Sequence, residues 1–479
     1  MSDGKRSEDT PIAAGPGLFG SAAGGGEREH RSADARRAAG KALRNAIPRA
    51  SHGGWTAPKN RRDPLDVLDE SNEGRLAQLI PLRFGRMAGS PFNFFRGAAA
   101  IMAADLASTP QSGLRVQACG DAHLLNFGCF ATPERRIIFD INDFDETLPA
   151  PWEWDLKRLV TSIVIAARHL GIDEREAAEM ATDTARAYRE RMGDYASMRV
   201  LAVWYDAIDV EQFVKQIPTG QAREHFEQRI GEAQKKCSPE HLFAKLVEDH
   251  AGAPRFKDEP PLIFHPTPEQ APGLTSDFNK GIALYRESLS EHVRTLFDRY
   301  HFRDLTLKVV GVGSVGTMCA VALFMAADDD PIFLQIKEAK ASVLEPHAGE
   351  SQHKNHGERV VKGQRLMQSA SDMFLGWLRA PNGRDYYIRQ LRDMKLSAIV
   401  EDWDSKTLRA YGKICAWALA QAHARSGDAA SIAGYMGSKS SFDDAISGFA
   451  VAYADQNEAD YKAFTNAIKA GRFKVVTET

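Results

Sequence analysis

Apolar positions along the chain change period twice. From residue 72 to 107 they recur at helical spacing, broken at SPF, and the second part (FFRGAAAIMAADLA) is Ala-rich and amphipathic. LRVQACGDAHLLNFG reads as a strand running into a polar loop, and ERRIIFDINDFDE as a second strand running into an acidic one. PWEWDLKRLVTSIVIAARHLG starts just after a proline and predicts a buried helix. Residues 173–300 read as mostly helical, with one Pro-rich break (DEPPLIFHPTPEQAPG). Then β-branched residues, glycines and an acidic turn predict three strands, at 305–310, 317–325 and 332–338. A helix (GERVVKGQRLMQSASDMF) and a strand (RDYYIRQLRD) follow, and the chain closes on helices over LRAYGKICAWALAQAHARSG and 441–469. No internal repeat stands out. The pattern predicts an α+β protein, predominantly helical, with one small β-rich segment between two helical ones.

A length of 479 residues suggests two or three domains. With 26% charged and 43% hydrophobic residues the composition is that of a globular protein, which excludes whole-chain disorder, collagen and coiled coil. The formal charge of −3 argues against a general nucleic-acid coat. Charge is unevenly spread: residues 1–62 carry twelve Lys/Arg against six Asp/Glu, which leaves −9 on the rest. Residues 1–30, rich in Gly, Ala and Ser, read as a disordered tail. The basic stretch 31–62 is either an arm for a phosphate-rich or acidic surface, or a solvated tail with a short helix (ARRAAGKALRNAI). No apolar run approaches membrane-spanning length, and MSDGKRSEDT lacks the apolar core of a signal peptide. The five cysteines are scattered and have no zinc-ligand spacing, which suggests a reduced, cytoplasmic protein.

The densest chemical constellation is Gly120-Asp121-Ala122-His123-Leu124-Leu125-Asn126, followed by Asp140, Asp143 and Asp145. Transfer of phosphate to a hydroxyl needs a carboxylate that orients the nucleophile or accepts its proton, and hard oxygen ligands for magnesium. This set supplies both, and the two strands are expected to present their loops at one edge. A surface acidic cluster with helix caps is the structural alternative. The second feature is Gly311-Val312-Gly313-Ser314-Val315-Gly316. A dinucleotide-binding unit needs a helix directly after such glycines. Here the run ends in DDDP and another strand, which suits a hairpin tip over phosphates, with a plain turn or a dinucleotide fingerprint as alternatives. The third is Lys337 in FLQIKEA. A lysine facing inward from an apolar strand is costly unless it meets an anion, so it either contacts phosphate or points to solvent at the strand end. Its carboxylate partner is expected from the following helix, Glu358 first, with Glu338 and Glu345 as rivals. Asp155 reads as a brace for the catalytic loop and His423 as a helix-end packing residue. Arg83, Arg86 and Arg96 read as phosphate binders or as structural ion-pair residues.

GDAHLLNFG with FDINDFDETLPAPWEWDLKRL resembles the catalytic and metal loops of aminoglycoside phosphotransferases and other kinase-like small-molecule kinases. From about residue 40 to 465, through SPFNFFRGAA, NDFDETLPAPWEWDLKRL, KVVGVGSVGT, QIKEA and GQRLMQSASDMFLGW, the chain also resembles a bacterial family catalogued as domain of unknown function twenty-two fifty-two. The kinase resemblance implies Asp121 as catalytic base, with His123 in the same loop. It implies Asn126 and Asp143 as magnesium ligands, with Asp145 or Asp140 as alternatives. Gly311, Gly313, Ser314 and Gly316 become the loop over the nucleotide phosphates, and Lys337, paired with Glu358, the nucleotide-binding lysine.

In kinases the glycines and lysine precede the catalytic loop; here they follow it by about 190 residues. A circular permutation reconciles the order. It implies a two-lobed kinase-like fold: a tail (1–30), a helical large lobe with the catalytic and metal loops (31–300), a small β-rich nucleotide-binding lobe (301–397), and helices that complete the large lobe (398–479). It predicts that Lys337 lies close to Asp143. The implied function is an ATP- and magnesium-dependent phosphotransferase acting on a small-molecule acceptor, with neither nucleic acid nor membrane as partner. Nucleotidyl transfer, nucleotide binding without turnover, and NAD(P)-dependent oxidoreduction are the alternatives.

Overall fold

Each strand and helix here has at least one apolar face to cover, and the way those faces meet decides where the polar loops emerge. The computed structural model describes residues 31–211, 231, 239–269, 274–327, 330–391 and 400–477; the expected tail over 1–30 lies outside them. The protein is a mixed α+β fold, about half helical, with several sheets.

Four short strands precede the first long helix: β1 (Arg115–Ala118), β2 (Phe127–Ala131), β3 (Ile137–Ile141) and β4 (Leu148–Pro151). β1 pairs antiparallel with β4, and β2 with β3, whose other edge takes β5 (Ile208–Asp209). The two strands expected to share an edge, β1 and β3, therefore lie in different sheets. What unites their loops is β2, a strand absent from the sequence reading. Asn142 N donates to Asn126 O at 2.8 Å, so the β2–β3 ribbon opens at one end into both the 119–126 and the 142–147 loops.

The segment expected to be mostly helical also holds a hairpin, β6 (Val247–His250) with β7 (Ala253–Phe256), and the edge strand β8 (Ile263–Phe264). The main sheet has six antiparallel strands in the order β12-β13-β11-β10-β9-β8. Its members are β9 (His301–Lys308), β10 (Cys319–Met325), β11 (Pro331–Ala339), β12 (Gly376–Arg379) and β13 (Asp385–Gln390), with β8 at the edge. β10 and β11 are buried along their whole length because helices Pro239–Leu246 and Leu274–Ser288 cover opposite faces of the sheet. Between β11 and β12 runs the helix His356–Met367.

The largest core joins the helices Trp152–His169, Glu174–Tyr195, Ser405–Ser426 and Ser441–Lys469. Trp152–His169 is buried on every side through Ala167, as a helix at the centre of a bundle must be. Helices from before and after the main sheet thus close one core. Among the described residues no helix is long and apolar enough to cross a membrane, and Cys119, Cys129, Cys319 and Cys415 are free.

Candidate functional site

The 119–126 loop is fixed from three directions. Gly120 sits at φ +84°, where a Cβ would stand 2.4 Å from Glu146 O, so only glycine fits the turn. Asp155, on the first turn of Trp152–His169, accepts from Cys119 N at 2.6 Å and Gly120 N at 2.9 Å. Its Oδ2 also lies 3.2 Å from His423 Nε2, whose Nδ1 is 2.7 Å from Tyr188 Oη. Asp155 is thus the brace its position suggested, and His423 is a buried link in that brace. Asn126 Nδ2 donates to Asp121 O at 2.7 Å and closes the loop on itself.

Asp121 is held by a residue that the sequence reading passed over. Arg158, one turn beyond Asp155 and buried, donates from Nε to Asp121 Oδ1 at 2.6 Å and from Nη2 to Phe95 O at 3.0 Å. His123 Nδ1 accepts from Leu125 N at 3.2 Å, and its Nε2 lies 4.0 Å from Asp121 Oδ2. Burial pushes His123 down to about 4, with Asp121 opposing and Arg96 and Arg158 reinforcing the shift, so the imidazole is neutral at pH 7.

Lys337 reaches the second loop across 192 residues of sequence. Its Nζ lies 2.7 Å from Asp145 Oδ2 and 3.7 Å from Asp143 Oδ1. The register explains the arrival: Cys319, Lys337 and Tyr387 are cross-strand neighbours on β10, β11 and β13, and Tyr387 Oη donates to Asp145 Oδ1 at 2.7 Å. Burial would push Lys337 down, but the charges of Asp143 and Asp145 outweigh it and hold the ammonium well above its usual range. The lysine side chain is 3% exposed, whereas those of Asp143 and Asp145 are 33% and 28% exposed, so the carboxylates can meet a ligand that the lysine meets only from within.

Two assignments change. Glu358 is not the partner of Lys337: its Oε1 faces His353 Nδ1 at 3.7 Å, and Asp145 takes the role. Glu338 accepts from Met318 N and Glu345 from Ser342 N, so neither rival does so. The helix His356–Met367 instead reaches the acidic loop through Arg359, which donates to Thr147 O at 2.6 Å and Asp145 O at 2.8 Å. No local pattern distinguished this arginine from a surface one. Asp140 turns away from the site; its Oδ2 accepts from Ser369 N and Oγ, both at 2.9 Å, and burial raises it to about 6.

The glycine run joins β9 to β10 and is followed by a strand, not by the helix that a dinucleotide fingerprint needs. Gly311 (φ +69°) and Gly316 (φ +89°) make its turns, and Ser314 Oγ bonds back to Val310 O. Segment 75–97 holds the loop: Leu76 N donates to Gly316 O, Arg75 to Val315 O and Arg86 to Gly311 O. β10 begins three residues after Gly316, directly beside Lys337, so the loop belongs to the same end of the sheet.

Among the described residues no group of three or more His, Cys, Asp or Glu gathers as a metal cage. Magnesium does not require one. It is commonly held by one or two protein oxygens, with water and substrate phosphates completing the shell. Asn126 and Asp143 are hard-oxygen residues at the same ribbon end, which fits that donor set.

Residues 75–467 match a family described as "Uncharacterized protein conserved in bacteria (DUF2252)". Comparison with curated proteins and with solved structures returned no match.

Proposed function

The chain belongs to this bacterial family, and from that premise we propose that it is an ATP- and magnesium-dependent phosphotransferase with a circularly permuted, kinase-like fold. One observation carries the reading: Lys337 Nζ sits between Asp143 and Asp145, with the glycine turn beside it and Asp121 and Asn126 at the same ribbon end. The β-rich segment supports it by its order. A glycine-bearing hairpin, a lysine strand, a helix and two further strands follow one another, as in a kinase nucleotide lobe.

In this reading Lys337 binds nucleotide phosphate oxygens, and Asn126 and Asp143 would hold magnesium. The ion, when bound, supplies neutralisation of charge on the phosphate oxygens. Asp121 orients the acceptor hydroxyl and takes its proton, while Arg158 keeps the carboxylate from rotating. Positioning by a rigid loop does most of the work. The acceptor is a small molecule, by analogy with kinases that share the GDxHxxN form.

Thermal unfolding with and without ATP and magnesium tests the reading. Ligand at 100 times its dissociation constant stabilises the folded state by about 2.7 kcal/mol. A magnesium-dependent shift is expected in the wild type and lost in both Lys337→Ala and Asp143→Ala; no shift in the wild type overturns the proposal. Nucleotide labelled at the γ or the α phosphorus separates phosphoryl from nucleotidyl transfer. A second reading, binding without turnover, draws on the Arg158 ion pair, which occupies one oxygen of the base. Retention of the biological role by Asp121→Asn would favour it.

A further inference from the structure

Three arginines flank the break at Ser90-Pro91-Phe92, and two are tied to structure. Arg83 is buried and donates to Asn72 Oδ1 at 2.5 Å and Gly97 O at 3.0 Å, and Arg86 donates to Gly311 O. Arg96 is different. Its Nη1 reaches Asn93 Oδ1 at 3.1 Å, and among the described residues its buried Nε has no hydrogen-bond partner and no carboxylate lies within ion-pair distance. The side chain is partly exposed and lies over the Phe92 ring at 5.8 Å, so the guanidinium can meet an anion from solvent, which would supply the countercharge that its buried Nε lacks.

Its surroundings say where that countercharge arrives. Asp121 and Glu401 attract its charge, Arg86 repels it, and Arg96 in turn acts on His123. Its own carbonyl lies against the glycine turn, where a Cβ on Gly313 would stand 3.2 Å away. One residue earlier, Phe95 O accepts from the Arg158 that holds Asp121. The Phe95–Arg96 backbone therefore lies between the glycine turn and the Arg158 that holds Asp121.

We infer that Arg96 is a phosphoryl-binding residue, its guanidinium meeting the terminal phosphoryl group of a nucleoside triphosphate between Gly313 and Asp121. The inference rests on the phosphotransferase reading. In the transfer, the bond from the terminal phosphorus to its bridging oxygen breaks and the nucleoside diphosphate leaves with the electron pair. A bond to the acceptor hydroxyl oxygen forms, and the hydroxyl proton passes to Asp121. Arg96 stays charged throughout and donates to the non-bridging oxygens, the role an arginine fork is built for.

Dissociation constants for magnesium-ATP and magnesium-ADP test it, measured by equilibrium titration on wild type, Arg96→Gln and Arg96→Lys. Arg96→Gln is expected to lose about tenfold or more in ATP affinity while ADP affinity stays within about twofold, with Arg96→Lys intermediate. Equal weakening of both nucleotides, or no weakening of either, overturns the inference while leaving the phosphotransferase reading intact. If Arg96→Gln does not fold, Arg96→Lys decides alone, since it must still lose ATP affinity relative to ADP. Failure of the wild type to bind either nucleotide overturns the phosphotransferase reading itself.

Discussion

A lysine ammonium withdrawn from water needs a countercharge at contact distance, and Lys337 takes it from Asp145 rather than from the helix that follows its own strand. Asp145→Asn should therefore cost about 2 kcal/mol in urea unfolding, below the roughly 3–5 kcal/mol of breaking a fully buried pair, because Asp145 is partly exposed and Asp143 stays near. Glu358→Gln should change stability by less than about 0.5 kcal/mol. The reverse ranking would restore the helix glutamate. His123 gives a pH signature. Its folded value of about 4 lies below the 6.5 of an unfolded histidine, so between those values the unfolded chain binds more protons and stability rises with pH. The loss is absent above about 6.5 and complete below about 4. His123→Gln should flatten the stability profile across that window, by up to about 1.4 kcal/mol per pH unit relative to wild type. An unchanged slope would mean that the imidazole takes up its proton without cost. The sequence exposed the polar residues of the site because each sits oddly in an apolar context, as Lys337 does in FLQIKEA. It did not expose their pairing, which depends on the register of three strands.

Elements with strong periodicity were legible to within a few residues. The strands expected at 305–310, 317–325 and 332–338 are observed at His301–Lys308, Cys319–Met325 and Pro331–Ala339. Short strands were not. β4 reads LPAP, and two prolines argue against a strand unless, as here, it pairs on one side only. β2 reads FGCFA, buried at four of five positions, so no alternation marks it. These two strands frame both loops of the site, so the fold class could be read while the frame could not. The helix His356–Met367 meets the sheet through Gly357, where a Cβ would stand 2.2 Å from Tyr386 O. Gly357→Ala should push the helix off β13, cost about 1–3 kcal/mol and displace Arg359 from Asp145 O. Retained stability would show that this close approach is dispensable.

Across the whole molecule, the helices after residue 404 finish a core that includes the helices after residue 151, which makes the segments on either side of the main sheet one folding unit. A chain truncated after Asp404 should lose cooperative unfolding by circular dichroism, because it exposes the apolar faces of Trp152–His169 and Glu174–Tyr195. A sharp transition in the truncated chain would mean that the earlier helices fold alone. The link from Asp155 to His423 also has a consequence in time. The ribosome makes the brace of the Asp121 loop 268 residues before the histidine that completes it. At about 5–20 residues per second, roughly 15–50 s separate the two. For that interval the nascent chain carries Asp155 and the Asp121 loop without the buried histidine that links them to Ser405–Ser426, so the loop takes its final geometry only after that helix has been made.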